Sequence, residues 1–256
     1  MSPTPRNALA ALAIPRGPRK DVSSPSWLGI GAQRSGTTWF TDLLTQHPGV
    51  GLGTNGKKEQ HLLHKVADGV LAASDYLDLF PADGLRRGEW TPQYLRHASV
   101  PAAAARLVPE APVLVLLRDP VERFRSAMRL AATRAAAGNP SPWPYPVPMT
   151  VQTFTGFYAD QLAAWGAAVG RERMVVMVYE QVRRDPKPAV DDVWRRLGLD
   201  PVPLAHVDEA SGSSSRADWE WTEGLRASLQ AMYRPQLARL ESDWGLDLSD
   251  WTATGR

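Results

Sequence analysis

The stretch that decides the fold is GAQRSGTT, residues 31–38, which directly follows the apolar residues WLGI, 27–30. A strand, a glycine turn and a helix in this order form a loop that binds phosphate, because backbone N–H groups and the positive helix N-terminus attract an anion. The stretch fits the pattern G-x-x-x-x-G-K-[ST], except that Thr37 stands where Lys is expected. It therefore indicates a damaged nucleotide triphosphatase, a loop for another ligand, or only a glycine turn that opens a helix.

The loop carries its strong cation at a different position, Arg34. A guanidinium group can hold a terminal oxyanion group with two parallel hydrogen bonds. Gly31 and Gly36 allow a tight turn, and Thr37 and Thr38 add hydroxyl groups at the start of the helix. These residues favour an anion site with an altered ligand.

The rest of the chain alternates strands and helices. Three apolar runs predict buried parallel strands at 27–30, 113–117 and 174–178. Helical apolar spacing follows at 40–47, 154–169, 190–197 and from about Thr222 to Trp244, where Pro235 should kink or split the helix. The pattern predicts an α/β, P-loop NTPase-like three-layer fold, with a central parallel sheet flanked by helices.

The proline-rich segment 138–148, GNPSPWPYPVP, is not expected to form a helix. We expect an extended and fairly stiff loop. It is either a surface excursion or one wall of a substrate cleft, in which Trp143 and Tyr145 give the cleft its shape.

Composition limits the class of protein. The 256 residues carry a net charge of +2 and contain no cysteine, which excludes disulfide frameworks and Cys-ligated zinc or iron–sulfur clusters. No apolar run approaches the ~20 residues needed to cross a bilayer. We expect residues 1–25 to be a flexible leader, with a signal peptide as the weaker alternative, and residues 26–256 to be a single domain in the cytoplasm.

A second anion site is predicted in VLVLLRDPVERFRSAM, residues 113–128. In an ATPase, an apolar strand that ends in Asp supports magnesium. This stretch matches that signature weakly, because its strand ends at Arg118 and Asp119 comes one position later. Arg118 leaves the strand end, Pro120 starts a helix, and Ser126 falls off the apolar face of that helix. Arg118 and Ser126 could therefore hold a second phosphate.

Together, GAQRSGTTW (31–39) and LLRDPVERFRSAM (116–128) resemble the two cofactor motifs of the sulfotransferases that use 3′-phosphoadenosine 5′-phosphosulfate (PAPS). Residues 175–200 and 237–251 are also similar to that family. The resemblance implies that the first loop holds the 5′-phosphosulfate and the second the 3′-phosphate. It implies that adenosine 3′,5′-bisphosphate (PAP) is the product. It also explains the missing lysine, because a sulfuryl group carries less charge than a terminal phosphoryl group, and family members need no magnesium.

The resemblance implies which loop residues bind the cofactor. They are Arg34, Ser35, Gly36, Thr37, Thr38, Trp39, Arg118 and Ser126, with Ser215 and Arg216 as candidates for a loop that closes over the 3′-phosphate. Trp39 would stack on adenine, although packing in the core is the alternative. The stretch around Ser215 could equally be a polar linker.

The candidate catalytic stretch is GTNGKKEQHLLHK, residues 53–65. Sulfuryl transfer to a hydroxyl needs a base for the proton and cations for the leaving phosphate. The stretch resembles the K-E-P-H-F-F segment of carbohydrate O-sulfotransferases of the heparan sulfate type, which implies that Glu59 is the base and that His61 orients it. Two alternatives stay open: a solvated charged turn, and a metal site made of Glu59, His61 and His64.

Residues 87–95, RGEWTPQYL, resemble the family's E-K-[ST]-P-x-Y-[FL] segment, but Trp90 replaces the lysine that assists at the sulfate in some members. Arg34 and Lys58 remain as cations for the leaving group. Trp90 either shapes the acceptor cleft or only packs.

The sequence thus predicts an enzyme that moves a sulfuryl group from PAPS to a hydroxyl of a carbohydrate, glycolipid or small metabolite, by direct in-line transfer. No metal, nucleic acid or stable membrane insertion is expected, and the oligomeric state is left open. The alternatives are a magnesium-dependent small-molecule kinase on the same fold and a non-catalytic nucleotide-binding protein.

Overall fold

A computed structural model of the chain describes residues 24–138, 147–207 and 219–251. All but the last two residues of the expected leader, 1–25, lie outside these ranges. Most of the proline-rich segment 138–148 and the candidates Ser215 and Arg216 also lie outside them.

A parallel sheet forms the centre of the described structure. Its strands are β1 (Trp27–Gly31), β2 (Val50–Leu52), β3 (Arg86–Trp90), β4 (Val113–Leu117) and β5 (Met174–Val178). They are arranged in the order β2-β3-β1-β4-β5, and every neighbouring pair is parallel. The three predicted strands are confirmed as β1, β4 and β5, whereas β2 and β3 were not predicted.

Helices connect the strands. They are α1 (Thr37–Leu44), α2 (Leu63–Ala67), α3 (Ala73–Leu77), α4 (Val100–Leu107), α5 (Pro120–Ala136), α6 (Val147–Thr155), α7 (Tyr158–Val169), α8 (Tyr179–Arg184), α9 (Lys187–Arg196) and α10 (Leu225–Trp244). None of these helices is both long and apolar enough to span a membrane.

Side chains alternate between the two faces of the sheet and give each face its own core. Leu28, Ile30 and Val115 face a core completed by α2, α4, α5, α7 and α10. Trp27 and Leu116 face a second core, completed by α1, α8 and α9. The predicted three-layer α/β architecture is therefore confirmed.

Three helix predictions need correction. The apolar stripe over 154–169 belongs to two helices, α6 and α7, because the chain breaks at Gly156, where a Cβ would lie 2.7 Å from the ring of Tyr233. The segment 138–148 was not expected to be helical, but Val147 and Pro148 start α6; proline is compatible with a first helical turn. Pro235 does not split α10, because buried residues on both sides of it, Tyr233 and Leu237 among them, keep the helix packed.

Two tryptophans and two glycines join β1 and β3. Trp27 pairs with Gly88, and Gly29 pairs with Trp90, so each indole lies over a glycine of the neighbouring strand. A Cβ on Gly29 would lie 2.2 Å from atoms of the Trp90 ring, and a Cβ on Gly88 would lie 2.4 Å from the Trp27 ring. The glycines are therefore needed because the rings occupy the space of a side chain.

Replacing Gly29 with Ala should lower the melting temperature by about 2–12 °C, because overpacking costs ~1–3 kcal/mol and each kcal/mol is worth ~2–4 °C in a chain of this size. Calorimetry or far-UV circular dichroism measures the shift. Gly51→Ala on β2 is the matched control, because its new Cβ would meet the flexible ends of Arg87 and Leu85 at 3.3 Å. Equal melting temperatures for both variants would contradict this packing.

Candidate active site

The candidate site lies at the carboxyl ends of β1 and β4. The chain runs from β1 outward to β2 and β3 and then returns to β4 on the other side, so the strand order reverses between these two neighbours. Ligands of open α/β sheets bind in the crevice at such a point. A cavity of about 430 Å³ opens there, lined by Gln33, Arg34, Gly36, Thr37, Thr38, Trp39, Glu59, Pro92, Gln93, Arg118, Ser126, Leu130, Arg134 and Tyr179.

The phosphate loop connects β1 to α1 through two left-handed residues. Gly36 has φ 80°, and a Cβ there would lie 2.5 Å from the ring of Tyr179. Arg34 also has a positive φ, 71°. Ser35 is fully buried, does not line the cavity, and donates its backbone N–H to the Ala32 carbonyl at 3.2 Å. Ser35 is predicted to bind the ligand, but its side chain does not contact the cavity in this structure.

Lys58 brings to the phosphate loop the ammonium group that the loop itself lacks. Its Nζ donates to the hydroxyls of Thr37 at 3.1 Å and Thr38 at 3.0 Å. Burial lowers the pKa of Lys58, and the nearby Glu59 carboxylate opposes this effect. A cation from another part of the chain thus lies at the start of α1.

Glu59 lies between two potential cations at the cavity wall. Its Oε1 is 3.1 Å from Nζ of Lys58, and its Oε2 is 3.1 Å from Nε2 of His61. The Glu59 side chain is 32% exposed, so it can reach a ligand in the cavity. The predicted group of Lys58, Glu59 and His61 is therefore brought together, and its carboxylate faces the same cavity as the phosphate loop.

The second predicted anion motif contacts the first. Nε of Arg34 donates to Oγ of Ser126 at 3.2 Å, and Nη1 of Arg118 lies 3.5 Å from the Arg34 carbonyl oxygen. Asp119 is buried, and its carboxylate caps α5 by accepting from the N–H of Val121 at 2.8 Å. Asp119 therefore acts as a helix cap.

Positive charge is concentrated at this cavity. Burial, followed by repulsion from Arg118, Arg134 and Arg123, lowers the pKa of Arg34. Arg123 is fully buried and donates to the backbone and side chain of Gln152. Such a group of neighbouring guanidinium groups favours an anionic ligand with more than one charged group.

Three aromatic residues, Trp39, Tyr179 and Trp90, lie in or near the site. Trp39 is buried, lines the cavity, and donates from Nε1 to the Val207 carbonyl at 3.1 Å. Tyr179 lies against Trp39 with ring centroids 6.3 Å apart and carries the Arg118 guanidinium 5.2 Å above its ring. Trp90 is fully buried, does not line the cavity, and donates to the Gly31 carbonyl, so of its two open roles the structure favours packing.

Five cavity residues were not singled out from the sequence: Gln33, Gln93, Leu130, Arg134 and Tyr179. Leu130 and Arg134 follow Ser126 at intervals of four residues on α5, so helical spacing from this predicted site residue could have found them. Tyr179 follows the end of β5, which is another strand-end signal. Gln33 and Gln93 carried no such pattern.

The metal alternative for Glu59, His61 and His64 gains no support. Within the described ranges, no three His, Cys, Asp or Glu side chains are grouped so that they could hold a metal ion. His64 instead lies beside His97, with ring centroids 5.3 Å apart, and burial lowers its pKa.

Residues 76–203, half of the chain, match the model of a protein family described as the sulfotransferase family. The matched part includes β3, β4, α5 and β5, and therefore Arg118 and Ser126. It does not include the phosphate loop or Glu59.

Curated relatives are similar over a larger part of the chain. The mouse bifunctional heparan sulfate N-deacetylase/N-sulfotransferase 4 is 27% identical over 199 residues, which cover 69% of this chain and 22% of the relative. A Caenorhabditis elegans bifunctional heparan sulfate N-deacetylase/N-sulfotransferase 1 is 29% identical over 106 residues, 41% of this chain and 12% of the relative. The match to the mouse relative thus spans about a fifth of that protein's length.

Solved structures share the fold. The crystal structure of a sulfotransferase from Alicyclobacillus acidocaldarius superposes with a TM-score of 0.64 at 26% identity, covering 90% of this chain and all of that one. The sulfotransferase domain from the curacin biosynthetic pathway has a TM-score of 0.55 at 14% identity, covering 88% of this chain and 99% of that domain, and shows the fold alone.

Proposed function

Because the chain belongs to the sulfotransferase family, we propose that it transfers a sulfuryl group from PAPS to a hydroxyl group of an acceptor. One observation carries the proposal: two cationic loops at neighbouring strand ends open into the same cavity as Glu59, the carboxylate that pairs with Lys58. A donor with phosphate groups at both its 5′ and 3′ ends needs two anion sites, and an acceptor hydroxyl needs a base.

The residues of the cavity fit such a donor. The phosphate loop with Arg34, Gly36, Thr37 and Thr38 would hold the 5′-phosphosulfate, and Arg118 with Ser126 would hold the 3′-phosphate. Trp39 and Tyr179 supply aromatic surface for the adenine. Ser215 and Arg216 remain candidates for the 3′-phosphate from their sequence position. The phosphosulfate supplies an activated sulfuryl group when bound.

The side chains divide the chemistry between them. Glu59 accepts the proton of the acceptor hydroxyl while the new oxygen–sulfur bond forms and the bond from sulfur to the 5′-phosphate oxygen breaks. His61 holds the other side of the Glu59 carboxylate. Lys58 and Arg34 stabilise the negative charge that develops on the departing phosphate, so the products are a sulfate ester and PAP.

The proposed acceptor is a carbohydrate, a glycolipid or a small metabolite. The relatives named for heparan sulfate favour a carbohydrate. From the sequence we also propose a single sulfotransferase domain over residues 26–256, a cytoplasmic location, and no metal or nucleic acid partner.

Thermal-shift titration tests the donor. PAP at about 100 times its dissociation constant should raise the melting temperature by ~5–10 °C, because such saturation adds ~2.7 kcal/mol and each kcal/mol is worth ~2–4 °C. ATP with magnesium should stabilise much less. Arg118→Ala should remove most of the PAP effect, whereas Arg125→Ala, an exposed arginine in the same motif, should keep it.

Two other outcomes would redirect the assignment. Stabilisation only by ATP with magnesium would indicate a small-molecule kinase, which neither the family nor the capping role of Asp119 favours. Stabilisation by PAP without transfer to any hydroxyl or amine acceptor would indicate a nucleotide-binding protein. No stabilisation by PAP would overturn the proposed donor.

A further inference from the structure

Hydrogen bonds to the end of β3 and the segment that follows it hold the loop that carries Lys58 and Glu59. The Trp90 N–H donates to the Lys58 carbonyl at 2.8 Å, and the Gln60 N–H donates to Oε2 of Glu89 at 3.0 Å. Both neighbours of Glu59 are therefore tied to two consecutive residues, Glu89 and Trp90. Glu59 itself stays at the cavity wall between these two fixed points.

The same segment holds the next three backbone amides of the loop. The His61 N–H donates to the Thr91 hydroxyl at 3.3 Å, and the N–H groups of Leu62 and Leu63 donate to the Tyr94 hydroxyl at 3.2 and 3.0 Å. Four successive amides, 60–63, thus bond to side chains of residues 89–94. This arrangement gives Glu89, Thr91 and Tyr94 a shared function that the sequence did not reveal.

The hydrogen bonds of amides 60–63 converge on one carboxylate. The Thr91 hydroxyl donates to Oε2 of Glu89 at 2.5 Å, and the Tyr94 hydroxyl donates to Oε1 at 3.0 Å. The Tyr94 oxygen already accepts two amides, which occupy both of its lone pairs, so it has no site left for a proton from Glu89. Oε2 likewise faces two donors. In these directions all three hydrogen bonds end on Glu89 as the acceptor, which is the pattern of an ionised carboxylate.

Glu89 is nevertheless in a costly place for a charge. It is fully buried, and in the described ranges no cation forms an ion pair with it. The titratable groups that face it are the hydroxyls of Tyr76 from α3 and Tyr94, both of which have their pKa raised by burial. Burial raises the pKa of Glu89 from 4.5 to about 7, against the lowering effect of its hydrogen bonds. Its ionisation thus changes close to neutral pH.

We propose that Glu89 is a positioning residue whose ionised carboxylate holds the 58–63 loop and so places Glu59 at the cavity and Lys58 at the phosphate loop. The step from loop position to turnover rests on the proposed function, whereas the hold on the loop does not. The segment RGEWTPQYL, residues 87–95, resembles a family segment, but the resemblance left its purpose open. We assign it the role of supporting the 58–63 loop.

Activity and stability should then respond to pH in opposite directions. As pH falls through about 7, Glu89 takes up a proton, the loop loses its common acceptor, and turnover falls. The folded pKa lies above the unfolded value near 4.5, so the stability linked to this group is full below that value and is lost as pH rises through about 7. Burial lowers the pKa of His64, so its titration falls at lower pH and can be distinguished from that of Glu89.

Hydrogen–deuterium exchange of the intact chain tests the hold on the loop without any assay of activity. At pH 8, Glu89→Gln should make amides 60–63 exchange about tenfold faster or more, because an amide NH₂ would replace an acceptor among donors. Exchange in β4 and α5 should stay unchanged. Tyr94→Phe removes only the hydroxyl and should make the amides of Leu62 and Leu63 exchange faster. It provides the test if Glu89→Gln folds poorly.

Matched controls separate positioning from general loss of stability. Tyr233→Phe removes another buried hydroxyl, which donates to the Thr153 carbonyl at 2.9 Å far along the chain, and Glu110→Gln removes an exposed carboxylate. Neither should change exchange in residues 60–63. Unchanged exchange in both Glu89→Gln and Tyr94→Phe would overturn the proposal, whatever the enzyme's activity.

Turnover supplies the second readout. Glu89→Gln should lower kcat about tenfold or more while KM for PAPS changes little, and it should remove the inflection near pH 7 from the pH profile. Added to the double variant Lys58→Met/Glu59→Gln, it should cause almost no further loss, because it acts through these two residues. Additive losses would contradict this route. A wild-type protein that transfers no sulfuryl group but shows the exchange effect would refute the proposed function and leave the loop support standing.

Discussion

Glu59→Gln is expected to lower kcat by about 100- to 1000-fold or more, the usual effect of removing a well-placed transition-state or proton-transfer group. The amide keeps the size and hydrogen-bonding capacity of the side chain but cannot accept the proton of a hydroxyl. Single-turnover transfer of labelled sulfate from PAPS measures the loss.

Nucleotide binding should survive this change. Glu59 contacts Lys58 and His61, whereas the two proposed anion sites are built on Arg34, Arg118 and other residues. The PAP-induced thermal shift of Glu59→Gln should therefore match that of the wild type, and Glu110→Gln, at an exposed position, should keep full turnover. Near-normal rates in Glu59→Gln would remove Glu59 as the base and direct attention to another cavity residue.

The fold could be predicted from short sequence signals because each of them acts locally. The run 113–117 is apolar throughout and becomes the fully buried β4, and the apolar run that ends at Gly31 becomes β1. Residues 86–90, RRGEW, escaped prediction because only the last three are buried and one of them is a carboxylate. Their strand is stabilised by the cross-strand Trp–Gly pairs, which the sequence shows only once β1 is known to be their neighbour.

The candidate site was predictable to the extent that residues follow strand ends. Arg34 and Arg118 leave neighbouring strands, so their motifs place both at one edge of the sheet. The position of Lys58 at the hydroxyls of Thr37 and Thr38 depends on contacts across 21 and 20 residues, which periodicity does not report. Glu89 illustrates the same limit, because its three donors come from a loop and a turn that only the fold brings together.

Lys58→Met should lower kcat by about 100- to 1000-fold, the range seen when one donor to developing charge is removed. Methionine keeps the apolar stem of the side chain and removes only the ammonium group. That group is 3.1 Å from Thr37 Oγ1 and 3.0 Å from Thr38 Oγ1, at the phosphate loop where charge develops on the leaving phosphate. Comparison of single-turnover rates for wild type and variant at saturating PAPS measures the effect on the chemical step.

Lys57→Met is the matched control, because Lys57 is the preceding residue, carries the same charge, and is exposed. It should retain wild-type turnover, and an equal loss in both variants would mean that the net charge of the loop matters rather than the position of Lys58. The double variant with Glu59→Gln then decides what Lys58 does. If Lys58 only paired with Glu59, its removal would have no further effect in that background. If Lys58 stabilises the leaving phosphate, its removal should instead cause a further loss close to that seen in the single variant. The reason is that Glu59 acts on the acceptor hydroxyl, whereas Lys58 acts on the leaving phosphate.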